Sequence, residues 1–108
     1  MRHATLLLLA AAAFASSAAA ASGDTARGRE KSALCVACHG LEGIAPNPTF
    51  PHIAGQNAAY LQVQLEAFRE GSRYHALMTP VAQSLSDEDI ADLASYFSSI
   101  GPLAAAFR

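Results

Sequence analysis

Cys35-Val36-Ala37-Cys38-His39 is the stretch on which the reading of this chain turns. Cysteines three positions apart on a helical turn point the same way, and a histidine directly after the second can swing its imidazole under a group held by both sulfurs. This is the pattern of c-type haem attachment, with two thioethers to one porphyrin edge and an imidazole for the iron. Other readings compete. A Cys-x-x-Cys redox pair sits in a strand–helix context, and no strand alternation is evident here. A structural zinc needs about four ligands, and the chain has no third cysteine. A lone disulfide leaves His39 without a role. Since a five-residue match also arises by chance, the surrounding chain has to decide.

Upstream, residues 1–21 read as a secretory signal peptide: Arg2 supplies the positive end, Leu6 to Ala15 the apolar stretch, and Ala19-Ala20-Ala21 a small-residue cleavage pattern. A retained anchor is the alternative, but the second half of the stretch is Ala and Ser, poorly apolar for a span. Cleavage leaves residues 22–108 as one small domain. Export agrees with covalent haem attachment, which belongs to compartments outside the cytoplasm, and the expected location is the periplasm.

Arg2 falls in the leader, so the mature domain carries six Lys/Arg against nine Asp/Glu, a net charge of −3 with His neutral. Nucleic acid is excluded as an expected partner, because no basic surface is available to neutralise phosphates. A domain this short needs a staple beyond its apolar core. A disulfide between Cys35 and Cys38 would close too small a loop to constrain the unfolded chain. The staple is therefore expected to be something that the cysteines hold.

Outward from the motif, the punctuation predicts helices joined by irregular loops. Asp24 can N-cap a first helix running toward Cys35. Gly40, Gly43, Pro46, Pro48 and Pro51 make the next stretch a loop. Between Asn57 and Gly71, Leu61, Leu65 and Phe68 recur at helical spacing beside Tyr60. The last helix carries the strongest local signals. Ser86 and Asp89 approximate a capping box, and Leu85 with Ile90 can form a hydrophobic staple. Asp87, Glu88 and Asp89 place negative charge at the positive end of the helix. Ile90, Leu93, Ala94 and Phe97 trace a buried stripe, and Gly101-Pro102 stops the helix.

With these elements in order, the mature chain resembles the class I c-type cytochromes, and among them the small bacterial kinds such as cytochromes c4, c5 and c553. Four segments carry the resemblance: Cys-Val-Ala-Cys-His-Gly at 35–40, Pro-His-Ile-Ala-Gly-Gln at 51–56, the loop around Met78-Thr79-Pro80, and Leu-Ser-Asp-Glu-Asp-Ile with Leu-Ala-Ser-Tyr-Phe within 85–97. The resemblance implies an all-α class I cytochrome c fold, three to four helices wrapped around one covalently attached haem c. Cys35 and Cys38 would bind the cofactor. His39 and Met78 would ligate the iron, Met78 from the loop entering the final helix. The only other methionine, Met1, lies in the leader; the competing role for Met78 is that of a core gap-filler.

The resemblance also implies that the Pro51 carbonyl accepts a hydrogen bond from the second nitrogen of His39, an outer contact that fixes ring orientation. Gly28, costing about 1 kcal/mol relative to Ala inside a helix, would let the first and last helices cross closely near Tyr96 and Phe97. His52 and His75 are read as surface or loop histidines, with His75 the main rival to Met78. Arg73 or Tyr60 would contact a haem propionate, or else only solvent and neighbours.

A histidine and a thioether together leave no open iron position, and the thioether favours ferrous iron and raises the potential. The expected function is therefore periplasmic single-electron transfer, not catalysis. The partners are redox proteins: a donor dehydrogenase or quinol-oxidising complex and an acceptor oxidase or reductase, with the membrane reached only through them. The alternative is a haem enzyme or sensor that binds a small ligand at an open or displaceable sixth position.

Overall fold

In the computed structural model, which describes residues 1–12 and 23–101, the Asp24 side chain accepts the Arg27 amide at 2.9 Å and opens α1 (Thr25–Lys31). The single helix expected from Asp24 to Cys35 is interrupted. At Ser32 the backbone keeps helical angles, but the hydroxyl donates back to the Arg29 carbonyl at 2.6 Å. Such back-bonding bends a helix, and α2 (Ala33–His39) continues beyond it with the motif. A 3-10 turn at Leu41–Gly43 leads into the proline-bearing loop. Then come α3 (Ala58–Glu70), α4 (Met78–Gln83) and α5 (Asp87–Ser99). Counting α1 and α2 as one bent helix gives four, and no strand occurs among the described residues.

The caps of the two long helices follow the sequence reading. Asn57 accepts the Tyr60 amide at 3.0 Å to start α3, and Gly71, left-handed at φ 83°, ends it. Ser86 and Asp89 form both halves of the capping box on α5. Leu61, Leu85, Ile90, Leu93, Ala94 and Phe97 make the core, with Cys35, Ile53, Leu65, Tyr96 and Ile100 packed on its margin. The capping residues set where each helix begins, and the apolar stripe sets which face it turns inward.

One correction concerns the segments between these helices, and one open alternative is met by packing. Met78 is not in an irregular loop; it is the first residue of α4, whose Thr79 and Ala82 are buried. Arg73 turns to α3, its guanidinium lying 4.6 Å from the Phe68 ring centre and donating to Gln64 Oε1 at 2.7 Å. Arg69 ties the same helix forward, to the Leu85 carbonyl at 3.3 Å and Asp87 at 2.6 Å.

α1 crosses α5 at close range. A Cβ on Gly28 would collide with the Asp92 carbonyl oxygen and approach Tyr96 Cβ at 2.7 Å, and one on Gly23 would collide with the Ala91 carbonyl. The glycines therefore accommodate backbone and the root of Tyr96; the Tyr96–Phe97 rings, with centres 5.0 Å apart, are not what Gly28 meets. α5 is consequently buried on a wider arc than its apolar stripe, and Asp92 is only 1% exposed. Its carboxylate accepts from the Asp24 amide at 2.7 Å and from Lys31 Nζ at 2.7 Å, and Arg27 Nε lies at 3.4 Å. Lys31 also reaches Asp89 at 2.8 Å. The Lys31 ammonium and, next, the Asp24 amide hold Asp92 below the usual carboxylate range against the opposing effect of burial. Lys31 and then Ser86 do the same for Asp89, while Asp89 and Asp92 raise Lys31.

Of the expected leader, residues 1–12 are exposed and without regular structure. The expected cleavage region, within 13–22, and the apolar stretch at 103–107 lie outside the described residues. Among the described residues, no helix is long and apolar enough to cross a membrane.

Two predictions follow from the crossing. Gly28→Ala gains about 1 kcal/mol of helix propensity, but overpacking against backbone that cannot give way costs about 1–3 kcal/mol or more. A net loss is expected, read as a fall of several degrees in the thermal midpoint of the holoprotein. The pH dependence has two limbs. Asp89 and Asp92 contribute fully above the unfolded carboxylate value of about 4, and their contribution disappears as pH falls through their lower folded values. Lys31 contributes fully below its unfolded value of about 10.4 and stops doing so as pH rises through its higher folded value. Asp92→Asn should lower the melting temperature at neutral pH and flatten the acid limb in circular-dichroism melts.

Candidate haem site

α2 presents Cys35 and Cys38 one turn apart, both half-buried and both free thiols. Burial, with a smaller effect from a charge on Cys38, pushes the Cys35 thiol up to about 11. A disulfide-exchange pair works through a thiolate stabilised well below the ordinary value, so the shift runs against that reading. Zinc fares no better: no group of three or more His, Cys, Asp or Glu side chains gathers for a metal among the described residues.

His39 ends α2 and is buried, 8% exposed. Its Nδ1 lies 2.9 Å from the Pro51 carbonyl oxygen. A carbonyl can only accept, so Nδ1 carries a proton, and in the neutral ring that leaves the lone pair on Nε2. The ring is thereby prepared as a ligand through Nε2, with the hydrogen bond that metal-bound imidazoles characteristically make on the other nitrogen.

The Pro51 carbonyl is held in place by its neighbours. Ile53 and Ala54 both donate to the Gly43 carbonyl, at 2.9 and 3.1 Å, and Gly55 donates to the Phe97 carbonyl on α5 at 2.8 Å. His52 Nδ1 accepts the Ala45 amide at 2.8 Å. This histidine is exposed, as the sequence led one to expect, but it pins the two limbs of the loop together. Gly40 makes the turn possible: at φ 78° it sits against the Ile44 carbonyl oxygen, where any side chain would collide.

Met78 is half-buried at the start of α4. His75, its rival, uses Nδ1 locally, accepting from the amides of Leu77 at 3.1 Å and Met78 at 3.3 Å. Its main chain pairs with Thr79 both ways, His75 N to Thr79 Oγ1 at 3.0 Å and Thr79 N to the His75 carbonyl at 2.9 Å. Sequence reasoning missed this cap because Leu77, the formal cap residue, has no capping side chain. The available signal was a hydrogen-bonding residue just ahead of Pro80, which is tolerated in a first helical turn.

The donor set fits one haem c: two thiols on one face of a helical turn, an adjoining imidazole of fixed tautomer, and one thioether elsewhere in the described chain that follows it. In place of Cys35 and Cys38, a double Cys35→Ala/Cys38→Ala variant should lose covalent haem and most of its helical circular dichroism, since so small a domain depends on its staple. A stable, fully helical apoprotein would contradict this.

Comparison with known proteins agrees. The family model described as cytochrome c matches residues 25–101. Cytochrome c-554(548) of Halomonas halodenitrificans is 52% identical over 81 residues, covering 72% of this chain and 98% of that protein. A crystal structure of reduced recombinant cytochrome c4 from Pseudomonas stutzeri matches with a TM-score of 0.69 at 42% identity, over 73% of this chain and 46% of that one. The protein called thiosulfate dehydrogenase electron acceptor in Stutzerimonas stutzeri is 43% identical over 70 residues, 62% of this chain and 32% of that protein. The chain thus spans nearly all of the first relative and less than half of the other two.

Proposed function

Since this chain belongs to the cytochrome c family, with the class I fold and haem c as its cofactor, we propose that it is a single-electron carrier working outside the cytoplasmic membrane. In this reading residues 1–21 are a removable leader and 22–108 the haem domain. Cys35 and Cys38 are the thioether anchors, His39 the fifth iron ligand and Met78 the sixth. The observation that carries it is the His39 Nδ1 contact with the Pro51 carbonyl at 2.9 Å.

The bound haem supplies one-electron iron chemistry. The protein's part is to keep the ligands in one arrangement in both oxidation states. Nε2 of His39 cannot rotate away without breaking a hydrogen bond to a carbonyl that is itself tied to Gly43 and to α5. A sulfur ligand from Met78 would close the remaining iron position and raise the reduction potential. Rigid ligation on both sides makes transfer to and from partners cheap in rearrangement and disfavours turnover of a bound substrate.

For the partner, the name of the Stutzerimonas stutzeri relative points to a dehydrogenase as the electron donor; the acceptor is a terminal oxidase or reductase. The net acidity of residues 22–108 suits a transient encounter with a basic surface.

Spectra of the purified protein in both oxidation states, with a pyridine haemochrome assay, test attachment and ligation together. Covalent haem, a faint far-red sulfur–iron band in the ferric form and slow cyanide binding are expected. Met78→Ala should keep its haem, lose that band, bind cyanide or carbon monoxide readily and shift to lower potential. Fast ligand binding by the unaltered protein would favour the haem enzyme or sensor instead.

A further inference from the structure

We propose that His75 is the positioning residue for Met78, an inference that rests on Met78 being the sixth ligand. α4 has only six residues, too few to hold together on propensity, so its start has to be fixed from outside. The first-turn amides can be accounted for one by one. Met78 N donates to His75 Nδ1, and Thr79 N to the His75 carbonyl. Pro80 has no amide proton, and Val81 N reaches the Leu77 carbonyl at 3.4 Å. Leu77 N, just outside the helix, also donates to His75 Nδ1. One residue therefore satisfies three consecutive amides with its ring and its carbonyl.

The return contact sets the rotation of the helix. His75 N donates to Thr79 Oγ1, and Thr79 is buried on the same face of α4 as Ala82. With Thr79 buried and the His75 ring on the Met78 amide, the backbone that carries Met78 is held on both sides. Accepting two amides requires Nδ1 to be unprotonated, so the ring's proton lies on Nε2. That tautomer has no lone pair to offer a metal while the cap is formed. The same geometry that positions Met78 thus removes its nearest rival.

Because Met78 is the first helical residue, loss of the cap frays the turn at the ligand itself and leaves the rest of α4 seated by Thr79 and Ala82. The test uses holoprotein variants His75→Ala, His75→Asn and Met78→Ala, with the far-red ferric band, midpoint potential, cyanide association rate and thermal melting measured on each. His75→Ala should retain haem and helical content, weaken the far-red band, move the potential toward that of Met78→Ala, and bind cyanide about tenfold faster, the factor expected for loss of a typical cap. His75→Asn, whose side-chain oxygen can cap a first turn, should restore most of the difference. If His75→Ala yields no holoprotein, His75→Gln replaces it, since its oxygen sits one carbon too far for the cap. An unchanged band, potential and cyanide rate in the uncapped variant would overturn the inference, as would failure of Asn to do better than the uncapped variant. Absence of the far-red band in the unaltered protein would defeat the Met78 reading and this one together; its presence, unaltered by loss of the cap, would defeat this one alone.

Discussion

The hydrogen bond between His39 Nδ1 and the Pro51 carbonyl is the contact on which the site depends. It commits the imidazole to one tautomer and one rotation, and it joins the end of the motif helix to a loop with no regular structure of its own. That loop would be a poor anchor by itself. It becomes rigid because three amides in succession, Ile53, Ala54 and Gly55, are spent on carbonyls of Gly43 and Phe97. Phe97 is also a core residue of α5. The orientation of a side chain on α2 is therefore referred, through two backbone contacts, to the best-buried helix of the domain.

α5 owes that burial to two different kinds of packing. On one side it meets α3 through aliphatic and aromatic side chains. On the other it meets α1 nearly backbone to backbone, at Gly23 and Gly28. Such close approach leaves no room for apolar side chains, so the specificity of this crossing comes from charge. Arg27 and Lys31, one turn apart on α1, face Glu88, Asp89 and Asp92 on α5. A buried carboxylate is costly alone, and Asp92 tolerates its position only because the Asp24 amide and the Lys31 ammonium are both in place.

How much of this could be read in the chain follows from the range of each interaction. The limits of α3 and α5 were legible because Asn57, Gly71, Ser86 and Asp89 act within three or four residues of themselves. The motif histidine and Pro51 were legible through their spacing and the family resemblance. Asp92 was not, since its partners lie 61 and 68 residues away and nothing near it in sequence shows that it would be buried. Nor was α4: Met-Thr-Pro-Val-Ala-Gln holds Thr, Pro and Val, weak helix formers, and the segment is helical because Thr79 and Ala82 are buried and His75 caps it. The charge pattern of α1 against α5 was present in the residues but has no meaning until the two helices are known to cross.

The two proposed iron ligands are consequently held by restraints of different depth. His39 is tied through Pro51 to the core of α5, so displacing it means disturbing a loop fastened at Gly43 and Phe97. Met78 stands at the end of a six-residue helix, and its restraint is a local one, made by a residue three positions away that is itself exposed. Perturbation by heat, ligand or substitution should reach the sulfur side first, leaving the imidazole and the thioether anchors in place. The asymmetry suits a carrier: the deeper side preserves the cofactor's place in the fold, while the shallower side governs its potential and its access to small molecules without endangering the fold.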